Sequence, residues 1–104
     1  MAMALRSSEM TDVLDEVYAV IADRKTNPKE GSYTTSLYNH RKGLDKVLEK
    51  IGEESTELII AAKNGKDDEI VYECADLFFH AMVLLAAKDI PLEKIKKEFE
   101  RRRN

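Results

Sequence analysis

The stretch from residue 67 to residue 88 constrains the fold of this chain more than any other, because its second half is apolar on almost every side. From Leu77 onward it reads "LFFHAMVLLAA", with His80 as the only polar interruption. A helix that is apolar all round has to be buried on every face. The apolar run is too short to cross a bilayer, which takes about 20 residues. We therefore expect a central helix of a packed domain and no membrane partner.

The other segments also carry apolar residues at helical spacing, and none resembles a strand bounded by turns. We expect a first helix from about Thr11 that ends before Pro28, a short helix capped by Thr34 or Thr35, and three more over about 44–64, 67–88 and from Pro91 onward. The connection "KNGKDD" is short, so the third and fourth helices should form an antiparallel hairpin. The predicted fold class is all-α.

Length and composition favour a single globular domain. The chain has 104 residues, of which 43% are hydrophobic and 36% charged. We assign residues 10–104 to this domain and residues 1–9 to a disordered leader. A domain of this size buries a modest share of its surface, so a homodimer or higher homo-oligomer is plausible.

The charge balance and the cysteine content limit the partners and the compartment. The formal net charge is −3, and the only cluster of bases is Arg101 to Arg103, which argues against a nucleic-acid groove. Cys74 is the only cysteine, which excludes an intrachain disulfide and favours a cytoplasmic location.

Acidic residues recur at helical spacing on the two long helices. Residues three, four and seven positions apart share one narrow lane of a helix. Two such lanes are Lys50, Glu54 and Glu57 on the third helix and Glu69, Glu73, Asp76 and His80 on the fourth. An antiparallel hairpin can bring the two pairs of carboxylates, Glu54 with Glu57 and Glu73 with Asp76, face to face.

A cluster of four carboxylates needs protons or a cation, because like charges in a partly dry site repel one another. A set of oxygen ligands that lacks Cys and has no more than one His suits Mg²⁺ or Mn²⁺, and Mg²⁺ often bridges to substrate phosphates. A simpler interpretation stays open, because Glu54 and Glu57 alone are typical of a solvated helix face. Surface exposure is harder to accept for Glu73 and Asp76, which lie in apolar surroundings.

The acidic motifs and their surroundings resemble a known family. Glu-x-x-Glu at residues 54–57, then fifteen residues, then Glu-x-x-Asp at 73–76 is similar to the signature of MazG-like all-α nucleotide pyrophosphohydrolases. The segments "GSYTTSL", "KGLDKVLEKIGEESTELIIAAK" and "YECADLFFHAMVLL" resemble, more narrowly, the phosphoribosyl-ATP pyrophosphatases of histidine biosynthesis. The similarity extends from about Thr11 to Arg102.

The resemblance implies Mg²⁺-dependent hydrolysis of phosphoribosyl-ATP to phosphoribosyl-AMP and pyrophosphate. It also implies helical hairpins assembled as a four-helix-bundle-type homodimer. Matched position by position, the acidic residues Glu54, Glu57, Glu73 and Asp76 are the expected metal-binding and catalytic residues. The expected substrate contacts are Lys50, Ser32, Tyr33, Thr34 and His80.

Simpler roles remain open for some of these substrate contacts. Lys50 could be a solvated partner of Glu54, residues 32–34 could merely cap a helix, and His80 could be a hydrogen-bonded core histidine. Two other functions also remain open: a house-cleaning hydrolase of deoxynucleoside or damaged nucleoside triphosphates, and a non-catalytic helical dimerisation module.

Overall fold

The computed structural model describes residues 2–103, and the side chains of residues 13–103. Helices account for all regular structure in this part of the chain, which confirms the all-α class. The five helices are α1 (Ala2–Thr26), α2 (Tyr33–Tyr38), α3 (Leu44–Asn64), α4 (Asp67–Ala87) and α5 (Leu92–Arg102).

The long hairpin of α3 and α4 has the predicted boundaries. Gly65 ends α3 in the left-handed conformation, with φ 76°, and its N–H bonds to the carbonyl oxygens of Ala61 and Ala62. Glycine accepts this conformation without the steric cost that a Cβ atom brings. Three acidic residues, Asp67 to Glu69, occupy the first turn of α4, where the helix dipole favours negative charge. The connection is therefore tight, and α4 runs back along α3.

The first two helices differ from the sequence-based prediction at their starts. Helix α1 begins at Ala2 rather than near Thr11, so it includes part of the leader assigned to residues 1–9, whereas the domain boundary at Met10 stays a prediction. Helix α2 is capped by Ser32, whose side-chain oxygen accepts a hydrogen bond from the N–H of Thr35 at 3.1 Å. The predicted caps at Thr34 and Thr35 were wrong, because Ser32 has the extended backbone that an N-cap requires.

The buried core lies where α1, α2 and α3 meet the second half of α4. Its members are Ile21, Leu37, Val47, Met82, Val83 and Ala86. Leu92 at the start of α5 packs against this core, and Lys96 pairs with Asp15 of α1 at 2.6 Å. This packing fixes α2 beside α4, at the edge of the site described below.

Helix α4 is less buried than its composition predicts. By length and composition it is the one helix in the described residues that could cross a membrane, a test that core helices of soluble proteins also pass. Only 22% of the most apolar 18-residue stretch of this helix is buried within the single chain. Val71, Tyr72 and Phe78 are each more than half exposed. The single chain thus leaves one face of its most apolar helix uncovered.

Candidate active site

The α3–α4 hairpin brings together acidic residues from both lanes. One carboxylate oxygen from each of Glu54, Glu57 and Glu73 lies within 4.8 Å of the other two. The carboxyl group of Asp76 lies close enough to Glu54 to raise its pKa. All four residues predicted from the sequence therefore lie in one cluster, which we call the carboxylate cluster.

Burial within the carboxylate cluster is uneven and differs from the expectation for Glu54. Glu54 is 4% exposed, whereas Glu57 is exposed and Glu73 is half-buried. Glu54 points from α3 toward α4, so the packing of the hairpin removes it from water. The interpretation that Glu54 is a solvated surface residue is wrong.

Two carboxylate oxygens of the cluster have no partner. Glu54 Oε1 and Glu73 Oε1 are buried without a hydrogen bond from any described residue. Leaving a buried polar atom unpaired costs about 1–3 kcal/mol, and more for a charged group. Both residues belong to the group of glutamates whose oxygens converge within 4.8 Å, so a cation is a suitable partner for their carboxylates.

The electrostatics of the cluster follow from this crowding. Burial, followed by the neighbouring Asp76 and Glu57 carboxyl groups, raises the pKa of Glu54 from 4.5 to about 7. Burial and the Glu57 carboxylate likewise raise the pKa of Glu73. Without a cation, Glu54 and Glu73 therefore hold protons more tightly than free glutamates do.

Lys50 is the basic residue at the border of the cluster. Its ammonium lies 3.5 Å from Glu54 Oε2 and 3.1 Å from Glu53 Oε1, and its side chain is 23% exposed. The exposed Glu53 takes the closer contact, so Lys50 offsets the charge of Glu54 only in part. Its remaining N–H groups are available to an anionic ligand.

Tyr33 and His80 form a pair beside the cluster. The Tyr33 hydroxyl lies 2.8 Å from His80 Nε2, and His80 Nδ1 lies 2.9 Å from the carbonyl oxygen of Asp76. Burial raises the pKa of the Tyr33 phenol, which the nearby Lys50 ammonium partly opposes. His80 is 2% exposed, whereas Tyr33 is 49% exposed. Of the two, only Tyr33 presents a substantial surface to solvent.

The two other predicted contacts, Ser32 and Thr34, have roles within the chain. The Ser32 hydroxyl caps α2, and Thr34 is buried at 7% exposure. Lys50 and Tyr33 are therefore the predicted substrate contacts that the structure leaves open beside the carboxylates.

A cleft of about 190 Å³ adjoins the cluster on the side of the α3–α4 turn. Besides Glu57 and Glu73 it is lined by Ile60, Ala61, Asn64 and Glu69. Sequence reasoning did not select Ile60 or Asn64, although they follow Glu57 by three and seven residues and so extend its lane. A larger cavity of about 300 Å³ lies elsewhere, near Lys25 and Lys88, and none of the described residues that line it is acidic.

Comparison with known proteins identifies the family. The sequence model described as phosphoribosyl-ATP pyrophosphohydrolase matches residues 14–103. The chain belongs to this family. A phosphoribosyl-ATP pyrophosphatase of Methanocella arvoryzae is 90% identical over 94 residues, which cover 90% of this chain and 99% of the relative.

Other relatives with the same name are more distant. The protein of Methanococcoides burtonii is 54% identical over 99 residues, covering 91% of this chain and all of the relative (100%). The protein of Pelobacter propionicus is 57% identical over 95 residues, which cover 91% of this chain and 86% of the relative. The resemblance found in the two acidic motifs is thus confirmed, and with it the prediction of a hydrolytic enzyme with a small-molecule nucleotide substrate.

Proposed function

We propose that this protein hydrolyses phosphoribosyl-ATP between its α- and β-phosphates, giving phosphoribosyl-AMP and pyrophosphate in the second step of histidine biosynthesis. The observation that carries the proposal is the carboxylate cluster, in a chain of this family, with three glutamate oxygens within 4.8 Å of one another. The names of the relatives supply the substrate.

Mg²⁺ is the proposed cofactor, held by Glu54, Glu57, Glu73 and Asp76. Carboxylate oxygens are the ligands that Mg²⁺ prefers, and the two unpaired buried oxygens of Glu54 and Glu73 support a cation at this position. When bound, Mg²⁺ would neutralise phosphate oxygens and make a water more nucleophilic. The donor set contains no sulfur and no histidine nitrogen, so it does not favour Zn²⁺.

The side chains in and around the cluster have separate roles in binding the substrate and the metal ion. The ammonium of Lys50, on the border of the cluster, is placed to pair with a phosphate oxygen of the substrate. Tyr33 and His80 are joined by a hydrogen bond and lie beside the same cluster. Glu54, at 4% exposure, would offer Mg²⁺ a carboxylate that is already shielded from water.

The non-catalytic alternative predicts that the acids are merely solvated. Glu54 is instead 4% exposed beside other carboxyl groups, an arrangement that lowers stability unless it has a ligand to bind. The cluster therefore favours an enzyme over a dimerisation module.

A substrate panel tests the proposed function. Purified protein is incubated with Mg²⁺ and either phosphoribosyl-ATP, dCTP or dUTP, and pyrophosphate release is measured. We expect release from phosphoribosyl-ATP, loss of release in EDTA, and at least about 100-fold slower turnover by Glu73→Gln. Turnover of the deoxynucleotides without turnover of phosphoribosyl-ATP would favour the house-cleaning alternative.

A matched variant shows whether loss of activity comes from the cluster or from loss of charge in general. Glu100→Gln removes the same charge from an exposed position of α5 and should keep wild-type turnover. Complementation of a histidine auxotroph that lacks this step provides the test in cells.

The proposal includes a homodimer built on the exposed face of the hairpin. Ile59 and Ile60 of α3 and Val71, Tyr72 and Phe78 of α4 are each more than half exposed. Exposed apolar patches of this kind mark interaction sites, and a second copy in a four-helix bundle would cover both helices at once.

Light scattering after size-exclusion chromatography measures the oligomeric state. We expect a dimer for the wild type and a monomer for Phe78→Glu. Phe99→Glu, at a somewhat more exposed position of α5, serves as the control and should stay dimeric. A monomeric wild type at micromolar concentration would contradict the homodimer.

We also propose a cytoplasmic location without membrane or nucleic-acid partners. The net charge of −3 disfavours a polyanion. Glu73 and Asp76 lie within the membrane-length helix α4, and ionised side chains are costly in a bilayer.

A further inference from the structure

The pair of Tyr33 and His80 is not explained by metal binding alone. The ring of His80 lies edge-on to Phe79, with ring centres 5.4 Å apart and planes at 86°. It lies edge-on to Tyr33 as well, at 5.7 Å and 86°. With 2% exposure and two aromatic neighbours, the imidazole ring has one orientation.

The hydrogen bonds of His80 fix which ring nitrogen carries the hydrogen. Nδ1 lies 2.9 Å from the backbone oxygen of Asp76, which can only accept, so Nδ1 is the donor. In the neutral tautomer with its hydrogen on Nδ1, Nε2 is an acceptor. The Tyr33 hydroxyl, 2.8 Å from Nε2, must therefore donate its hydrogen to His80.

The Tyr33 oxygen consequently faces the site as an acceptor. Its single hydrogen is used by His80, whereas its lone pairs make no hydrogen bond to any described residue, Lys50 included. Ionised phosphate oxygens are acceptors, so the Tyr33 oxygen has no hydrogen to offer them. A ribose hydroxyl or an amino group of the nucleoside can donate to it.

We propose that Tyr33 is a specificity-determining residue that accepts a hydrogen bond from the nucleoside part of the substrate, and that His80 is its positioning residue. This inference rests on the proposed function and deepens it. Lys50 and the metal-binding carboxylates serve the phosphates, whereas Tyr33 distinguishes a nucleotide from a simple polyphosphate.

Inhibition by the two reaction products tests the division of roles. Phosphoribosyl-AMP carries the nucleoside, and pyrophosphate carries only phosphates. We expect Tyr33→Phe, which removes one oxygen atom, to raise the inhibition constant of phosphoribosyl-AMP about fivefold to tenfold and to leave that of pyrophosphate within about twofold. The same variant should raise KM for phosphoribosyl-ATP more than it lowers kcat.

His80 variants test whether it acts through Tyr33. His80→Phe should raise the inhibition constant of phosphoribosyl-AMP as Tyr33→Phe does, and should add no further rise in the Tyr33→Phe background. The amide oxygen of His80→Gln lies near the position of Nε2, so this variant should recover part of the lost affinity. Additive effects of the two substitutions would contradict a shared role.

Tyr38→Phe is the matched control, because Tyr38 also donates one hydroxyl hydrogen bond, at 2.8 Å to Ile21 O, but away from the carboxylate cluster. It should change neither inhibition constant. Equal rises for both products in Tyr33→Phe, or none, would overturn the inference alone. Failure of the wild type to turn over phosphoribosyl-ATP would overturn the proposed function and the inference with it.

Discussion

Replacing Glu54 by Gln should stabilise the metal-free protein, and the gain should grow with pH. Glu54 is 4% exposed and lies next to Asp76 and Glu57, and this environment raises its pKa from 4.5 to about 7. Above this pH the folded protein holds a buried charge that Lys50, 3.5 Å from Glu54 Oε2, offsets only in part. Glutamine has nearly the same shape and no charge to bury.

The magnitude follows from the pKa values of the folded and unfolded states. Because folding raises the pKa of Glu54, its protonation contributes stability that is fully present below 4.5 and is lost as the pH rises through about 7. One pH unit corresponds to about 1.4 kcal/mol, so the whole effect is about 3 kcal/mol. Most of it, about 2.5 kcal/mol, is lost between about pH 5 and pH 8.

Urea unfolding followed by circular dichroism measures this difference. Wild type and Glu54→Gln are compared in EDTA at about pH 5 and pH 8, at one protein concentration because dimerisation also changes stability. We expect the free energy of unfolding of the variant, relative to that of the wild type, to rise by about 2.5 kcal/mol from pH 5 to pH 8. Mg²⁺ at pH 8 should reverse the order by stabilising the wild type more.

The exposed Glu100→Gln variant provides the baseline for loss of one charge, and its difference from the wild type should be similar at both pH values. A Glu54→Gln gain that is equal at both pH values, or larger at pH 5, would refute the argument that burial and like charge control the titration of Glu54.

Three further predictions concern the hairpin and its site. Gly65→Ala should lower the free energy of unfolding by about 1 kcal/mol, because residue 65 has φ 76°. Gly52→Ala lies inside α3 and should raise the free energy of unfolding by about 0.5–1 kcal/mol. Equal effects of the two substitutions in urea unfolding would contradict this prediction. Lys50→Met should raise KM for phosphoribosyl-ATP about tenfold, and an unchanged KM would exclude a phosphate contact. Asp76→Asn should slow turnover at least about 100-fold without lowering the melting temperature, so a fully active variant would remove Asp76 from the site.

Local signals in the sequence were sufficient to predict the helical hairpin. Gly65 and the acidic start of α4 act within a few residues, so the ends of α3 and α4 could be located without tertiary contacts. The start of α2 could not, because Ser32, Thr34 and Thr35 are all suitable caps. Backbone conformation at Ser32 decided between them.

The composition of the carboxylate cluster also followed from the sequence, because spacing alone assigns Glu54 and Glu57 to one lane and Glu73 and Asp76 to the other. Their burial did not follow. A glutamate at the edge of an apolar stripe becomes buried or exposed according to how closely the neighbouring helix packs, and here α4 covers Glu54 and leaves Glu57 exposed.

The sequence by itself thus determined the helical class, the hairpin and the set of acids, since these depend on local preferences and on a fixed helical period. Only the tertiary structure decided which acid is buried, which carboxylate oxygens are unpaired, and that Tyr33 pairs with His80 across 47 residues of sequence. Such contacts depend on the packing of separate helices, and no local pattern in the sequence specifies that packing.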